Sequence, residues 1–196
     1  MRTVQLGCGL VGSVIATDLA KDCEVTVVDL NEKALDALKA KAPSVKTVVG
    51  SCIDKDVLAP LLKDADIVTA GVPGRFGYKM METVIELGKS LSDISFMAED
   101  FELLDGLAKE KGVVVVPDIG VAPGMSNYLM GRGCALLDEV EDAVIYVGGI
   151  PEKKVPPFNY QVTWSPADVI EEYTRPARFV ENGEPVTVDA MDRLTL

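Results

Sequence analysis

A glycine-spaced turn between an apolar strand and an apolar helix constrains this chain more than any other feature. Gly7-Cys8-Gly9-Leu10-Val11-Gly12 follows the apolar run at 3–6 and opens a helical pattern at about 11–21. A backbone that reverses in so few residues needs Gly7 for the turn. Gly9 leaves no Cβ in the way of a group approaching the main chain, and Gly12 lets helix and strand pack closely. Leu10 and Val11 begin the helix, whose free N–H groups and positive dipole end attract an anion such as pyrophosphate.

The next strand pattern, 24–29, ends in Asp29, 22 residues after Gly7. An acid at that place accepts hydrogen bonds from adenosine ribose hydroxyls and repels the 2′-phosphate that marks NADP. Leu30 and Asn31 supply no arginine for such a phosphate, although Lys33 stands one helical turn on. The spacing therefore predicts a dinucleotide site of Rossmann type, with NAD expected and NADP less favoured. The non-functional alternative is a Gly-rich turn in which Asp29 caps the helix at 31–41.

Strand and helix patterns alternate through the first 120 residues. Strands are expected at about 2–6, 24–29, 45–49, 66–70, 92–96 and 113–117, several as short apolar runs suited to burial on both faces. Helices are expected at about 11–21, 31–41, 54–63, 78–90 and 99–111, with apolar residues recurring at three and four. This is an α/β order: a Rossmann doubly wound parallel sheet. The loop Ala70-Gly71-Val72-Pro73-Gly74 falls at the carboxyl end of that sheet, where backbone could run along a cofactor; an ordinary strand-to-helix turn is the alternative. Cys52 and Ile53, after the third strand, could flank an adenine or belong to the core.

After residue 120 the pattern changes to a partial α+β substrate domain with antiparallel strands, 121–196, which could also serve dimerisation. A helix is expected at 125–137, strands at 141–149 and 160–165, a helix at 166–173, and a hairpin of 177–180 with 186–189 turning at Asn182-Gly183. Roughly 75 residues with so few strands bury little surface alone, so this part is expected to be incomplete, or completed by a partner chain in a homodimer.

Composition sets the remaining bounds. A net charge of −12 disfavours nucleic acid and anionic membrane surfaces as partners. The four cysteines are scattered and there is no histidine, so no metal site is expected and free thiols in the cytoplasm are the simplest reading. Without histidine, proton transfer must fall to Asp, Glu, Lys, Tyr, Cys or water. No apolar run reaches the ~20 residues of a membrane span.

Two later stretches carry a resemblance. Ile94-Ser95-Phe96-Met97-Ala98-Glu99-Asp100 and Pro117-Asp118-Ile119-Gly120-Val121-Ala122-Pro123-Gly124-Met125-Ser126-Asn127 resemble the saccharopine dehydrogenase-like family, nearest to its lysine 6-dehydrogenase branch. Gly148-Gly149-Ile150-Pro151, Pro156-Pro157-Phe158-Asn159-Tyr160 and Glu172-Tyr173-Thr174-Arg175-Pro176-Ala177-Arg178 follow in the same order as that branch's substrate segments. The resemblance implies an NAD(P)-dependent oxidoreductase acting on the C–N bond of a small amino-acid substrate. For the lysine branch this means oxidative deamination of the ε-amine. Saccharopine or a carboxylated polyamine is the alternative substrate, and a non-catalytic NAD-sensing domain the alternative class. Some saccharopine reductases carry an acid directly before the Pro-Gly of the second block, where this chain has Ala122.

Within that frame, Asp118 and Glu99 are the catalytic candidates, able to hold an ammonium or move its proton. Either could instead cap a helix or bond loop amides. Arg175 could pair with a substrate α-carboxylate or with Glu171 or Glu172. Tyr160 could orient the substrate or simply pack on its strand, and Asn127 could bond the nicotinamide amide or the loop backbone. Trp164 is assigned to packing.

Overall fold

The computed structural model describes residues 1–148, 150–162 and 166–192. The chain divides into two compact units, Met1–Val147 and Gly148–Leu196.

The first unit is built on six parallel strands: β1 (Arg2–Leu6), β2 (Glu24–Asp29), β3 (Lys46–Val49), β4 (Ile67–Ala70), β5 (Leu91–Asp93) and β6 (Val115–Val116), in the order β3-β2-β1-β4-β5-β6. Between them run α1 (Leu10–Leu19), α2 (Glu32–Lys41), α3 (Lys55–Leu62), α4 (Gly74–Glu86) and, after a 3₁₀ turn at Phe101–Leu104, α5 (Asp105–Lys111). Alternate residues of β2 feed two separate cores, as a pleated strand covered on both faces must. Val25 and Val27 pack with Leu35 and Leu38 of α2, whereas Val28 joins Leu58, Leu62, Met80, Met81 and Ile85 of α3 and α4. The strand order reverses between β1 and β4, which opens a crevice at their carboxyl ends, the usual ligand position in such sheets.

Helix starts follow local chemistry. The Asn31 side chain accepts from the Ala34 N–H, and Asp54 accepts from the Asp56 and Val57 N–H groups, as N-caps do. The fourth helix begins at Gly74, directly after Pro73, four residues before its expected start at 78. Proline's fixed φ suits a helix entrance. The fifth strand stops at Asp93, not 96, because the Ser95 N–H turns back to the Asp93 carboxylate. The sixth is only two residues long at the sheet edge. Beyond it a loop closes through Gly124, whose φ is +126° and where a Cβ would run into the Gly120 carbonyl, and α6 (Met125–Cys134) follows.

The expected strand at 141–149 is not formed over 141–148, and 160–162 are likewise not in a strand. A run of apolar residues alone does not make a strand: its N–H and C=O groups need a ladder partner. Among the described residues no strand pairs with 141–148, and Val144, Tyr146 and Val147 are exposed. Gly149 and residues 163–165, with the packing role expected of Trp164, lie outside the described residues.

The second unit contains α7 (Pro166–Thr174) and an antiparallel hairpin, β7 (Ala177–Glu181) and β8 (Glu184–Val188). Its turn residues Asn182 and Gly183 have φ of +53° and +84°, the positive pair that a type I′ turn requires.

Candidate functional site

The glycine loop is fixed by contacts from three directions. Gly7 has φ +92°, and a Cβ there would stand 2.5 Å from the Gly71 carbonyl oxygen. A Cβ on Gly12 would overlap the Gly7 carbonyl. Around Gly9 there is open space, so the backbone is bare on the side from which an anion would approach the first turn of α1. Below the loop, the buried Gln5 amide donates to the Leu6 and Gly7 carbonyls at 2.9 and 3.1 Å and accepts from the Thr69 hydroxyl at 2.6 Å. This buried glutamine in an apolar strand is fully satisfied, and it ties β1 to β4 under the turn.

Asp29 grips the loop from the side. Its Oδ2 accepts the Cys8 N–H at 2.6 Å and its Oδ1 accepts the Asn31 N–H at 2.7 Å. Each is a charge-assisted bond of about 1.5–3 kcal/mol. The carboxylate is half-buried, which leaves it able to meet a ligand as well. It is not the cap of α2, a role taken by Asn31.

Gly7, Gly9, Asp29, Leu30, Cys52, Gly71, Val72 and Pro73 come together around one cleft of about 330 Å³. Cys8, Val28, Asn31, Ala34, Gly50 and Phe76 complete its lining. All belong to the first unit. Leu10 and Val11 are exposed on the first turn of α1, Gly12 is buried beneath it, and Ile53 packs against the core. Burial pushes the Cys52 thiol up to about 11, and burial first and the Asp29 charge second also raise Cys8. Both are neutral thiols near pH 7. The Arg75 guanidinium lies 4.6 Å from the ring centroid of Phe76, which brings one cation close to this cleft.

On the β4–β6 side the organising acid is Asp93, which sequence reasoning missed. It is fully buried at the end of β5. Its Oδ1 accepts the Ser95 N–H at 3.0 Å and the Ser95 hydroxyl at 2.7 Å. The Ser95 oxygen in turn accepts the Val72 N–H at 3.3 Å, and the Asp93 main-chain carbonyl accepts the Ile119 N–H at 3.1 Å. Its Oδ2 is buried with no hydrogen-bond partner among the described residues. Burial, opposed by the Ser95 bonds and reinforced by the Asp118 charge, pushes its carboxyl up to about 6. The signal in the sequence was an acid and two serines within an apolar stretch, Ser92-Asp93-Ile94-Ser95.

The other candidates divide. Asp118 is half-buried with φ +51°, close enough to Asp93 to raise its proton affinity. Glu99 is exposed in a bend before the 3₁₀ turn, and Asp100, not Glu99, caps that turn by accepting the Glu102 N–H. The Asn127 side chain accepts the Gly124 N–H at 3.2 Å and the Ser126 hydroxyl at 3.1 Å, the loop-backbone role among its two readings. Tyr160 and Arg175 belong to the second unit, Tyr160 exposed and Arg175 half-buried just after α7.

Comparison with known proteins assigns both parts of the chain. Residues 3–116 match the model of the saccharopine dehydrogenase NADP binding domain, and residues 120–195 match that of the saccharopine dehydrogenase C-terminal domain. The chain belongs to the saccharopine dehydrogenase family. It is 25% identical over 198 residues to the saccharopine dehydrogenase [NADP(+), L-glutamate-forming] of Schizosaccharomyces pombe, covering 95% of this chain and 43% of that protein. To the alpha-aminoadipic semialdehyde synthase of Arabidopsis thaliana it is 24% identical over 182 residues, covering 90% of this chain and 16% of the relative. The fold matches apo saccharopine dehydrogenase (L-Glu forming) from Saccharomyces cerevisiae with a TM-score of 0.71 at 21% identity, over 96% of this chain and 44% of that one. The chain thus spans less than half the length of these relatives.

Proposed function

We propose that this chain carries the nicotinamide-dinucleotide site of an oxidoreductase that acts on the C–N bond of an amino acid. The observation that carries the reading is the pair of bonds that Asp29 accepts from the Cys8 and Asn31 N–H groups, which holds an acid beside the bare backbone of Gly9 in one cleft. The cleft fits the group by its chemistry: amides at a helix start for the pyrophosphate, a carboxylate for ribose hydroxyls, and apolar Val28, Leu30 and Cys52 for a base. When bound, the oxidised dinucleotide supplies a hydride acceptor.

NAD is the preferred form in this reading. A 2′-phosphate would lie against the Asp29 carboxylate, and residues 29–32 offer no cation. NADP is the second reading. It is favoured by the name of the matched domain model and by Arg75, stacked on a ring that lines the cleft.

For substrate we favour the lysine ε-amine, on the resemblance of the blocks at 94–100 and 117–127; saccharopine is the second choice, favoured by the relatives' names. A free lysine amine titrates near ~10.4 and must be neutral to lose hydride from its carbon. In this reading Asp118 holds the ammonium and takes its proton. NADH or NADPH formation is measured with lysine, saccharopine and small diamines. Turnover of either supports an amino-acid dehydrogenase; tight dinucleotide binding with no turnover of any amine would favour a sensor instead.

A further inference from the structure

The two halves of the sheet repeat one device. Twenty-two residues separate Gly7 from Asp29, and twenty-two separate Gly71 from Asp93. Each glycine follows the first strand of a half, and each acid ends the second. Asp29 accepts the N–H two residues on, at Asn31, and the N–H of the residue after its glycine, at Cys8. Asp93 likewise accepts the N–H two residues on, at Ser95. The amide after its glycine, Val72, is reached through the Ser95 hydroxyl.

Register explains the inserted serine. Leu6, before Gly7, pairs with Val28, whereas Ala70, before Gly71, pairs with Asp93 itself. The second acid therefore sits one residue further back from its loop, about 3.3 Å along the strand. That step buries it and puts the Val72 amide beyond its direct reach.

We propose that Asp93 is a positioning residue for the nicotinamide half of the cofactor, acting through Ser95 on the Val72 amide and through its own carbonyl on the Ile119 amide. This rests on the dinucleotide reading above. The first half of such a sheet holds one mononucleotide and the second half the other. The loop at 71–73 follows β4, the first strand of the second half, and is tied to the Asp93 side chain through Ser95; Ile119, in the loop after β6, is tied to the main-chain carbonyl of the same residue. Its second oxygen has no hydrogen-bond partner among the described residues, so the side-chain bonds of this buried acid go to Ser95.

The test separates the cofactor's halves. Binding of NADH, NADPH and AMP, the adenine mononucleotide alone, is measured on the whole chain for wild type, Ser95→Ala and Asp93→Asn. Loss of one such hydrogen bond is worth roughly 2- to 10-fold. Ser95→Ala should weaken the reduced dinucleotide by that factor and leave AMP within about twofold. Asp93→Asn keeps an oxygen acceptor for Ser95 and should retain the wild-type ratio of the two affinities. Equal weakening of dinucleotide and AMP by Ser95→Ala, no change in either, or loss of the ratio in Asp93→Asn would each overturn the proposal. Failure of wild type to bind NADH and NADPH is a different result, which overturns the functional reading and this inference together.

Discussion

Asp29 and Asp93 occupy matching places in the two halves of one sheet and live in opposite environments. Asp29 is half-buried, has both oxygens engaged by backbone N–H groups and stands at the wall of the cleft. Asp93 is fully buried, has one oxygen engaged and one without a hydrogen-bond partner among the described residues, and reaches the cleft through Ser95 and Val72. The difference teaches that spacing alone does not assign a role to an acid after a glycine loop. A single step of register decides whether the carboxylate faces a ligand or holds the loop that does.

The comparison can be broken at several points. The largest effect is expected from Gly7→Ala, where the new Cβ meets the Gly71 carbonyl at 2.5 Å in a left-handed backbone. It should destabilise the chain by about 2–4 kcal/mol and abolish dinucleotide binding, read by thermal melting and NADH titration. Unchanged binding would mean that the two loops can part without consequence.

Asp29→Ala removes two charge-assisted bonds and the acceptor for ribose. NADH affinity should fall roughly 10- to 100-fold, and NADPH affinity should fall less, because the repulsion of its phosphate is removed as well. Equal losses for both would remove Asp29 from cofactor choice.

Asp93 supplies the pH test. Its carboxyl is raised from 3.8 to about 6, so between those values the native state holds a proton that the unfolded chain has released. Stability should therefore fall as pH rises through that window, by about 3 kcal/mol once complete above pH 6. Asp93→Asn lacks this cost. Urea unfolding should find it about 2–3 kcal/mol more stable than wild type at pH 8, with no such advantage below pH 4. A difference independent of pH would contradict the buried, reluctant charge.

The smallest effect is expected from Arg75→Ala. It should leave NADH binding within about twofold and weaken NADPH by no more than the ~1 kcal/mol of an exposed ion pair. A large loss of NADPH alone would move the preference to NADP.

Much of the first unit was legible in the sequence. Short apolar runs, periodic helices and the glycine spacing are local signals, and they located every strand of the parallel sheet and the loop around Gly7. The parts that were not legible depend on partners distant in sequence. Gln5 reads as an interruption of an apolar strand until Thr69 and the Gly7 carbonyl stand beside it. Asp93 and Ser95 read as a strand continuing to 96 until the side chain turns the backbone back. The run at 141–148 has the apolar residues of a strand and no ladder to join among the described residues. Asp118 and Glu99 stand together as candidates by residue type and by the family resemblance; the structure sets Asp118 half-buried beside Asp93 and Glu99 exposed before the 3₁₀ turn.

The most direct measurement is a side-by-side fluorescence titration of wild type with NADH and NADPH. The expected result is saturable binding at one site per chain, with NADH the tighter by roughly 10-fold, the value of one charged contact. The absence of saturable binding would contradict the dinucleotide cleft, and NADPH binding as tightly as NADH would contradict the role of Asp29 in choosing between them.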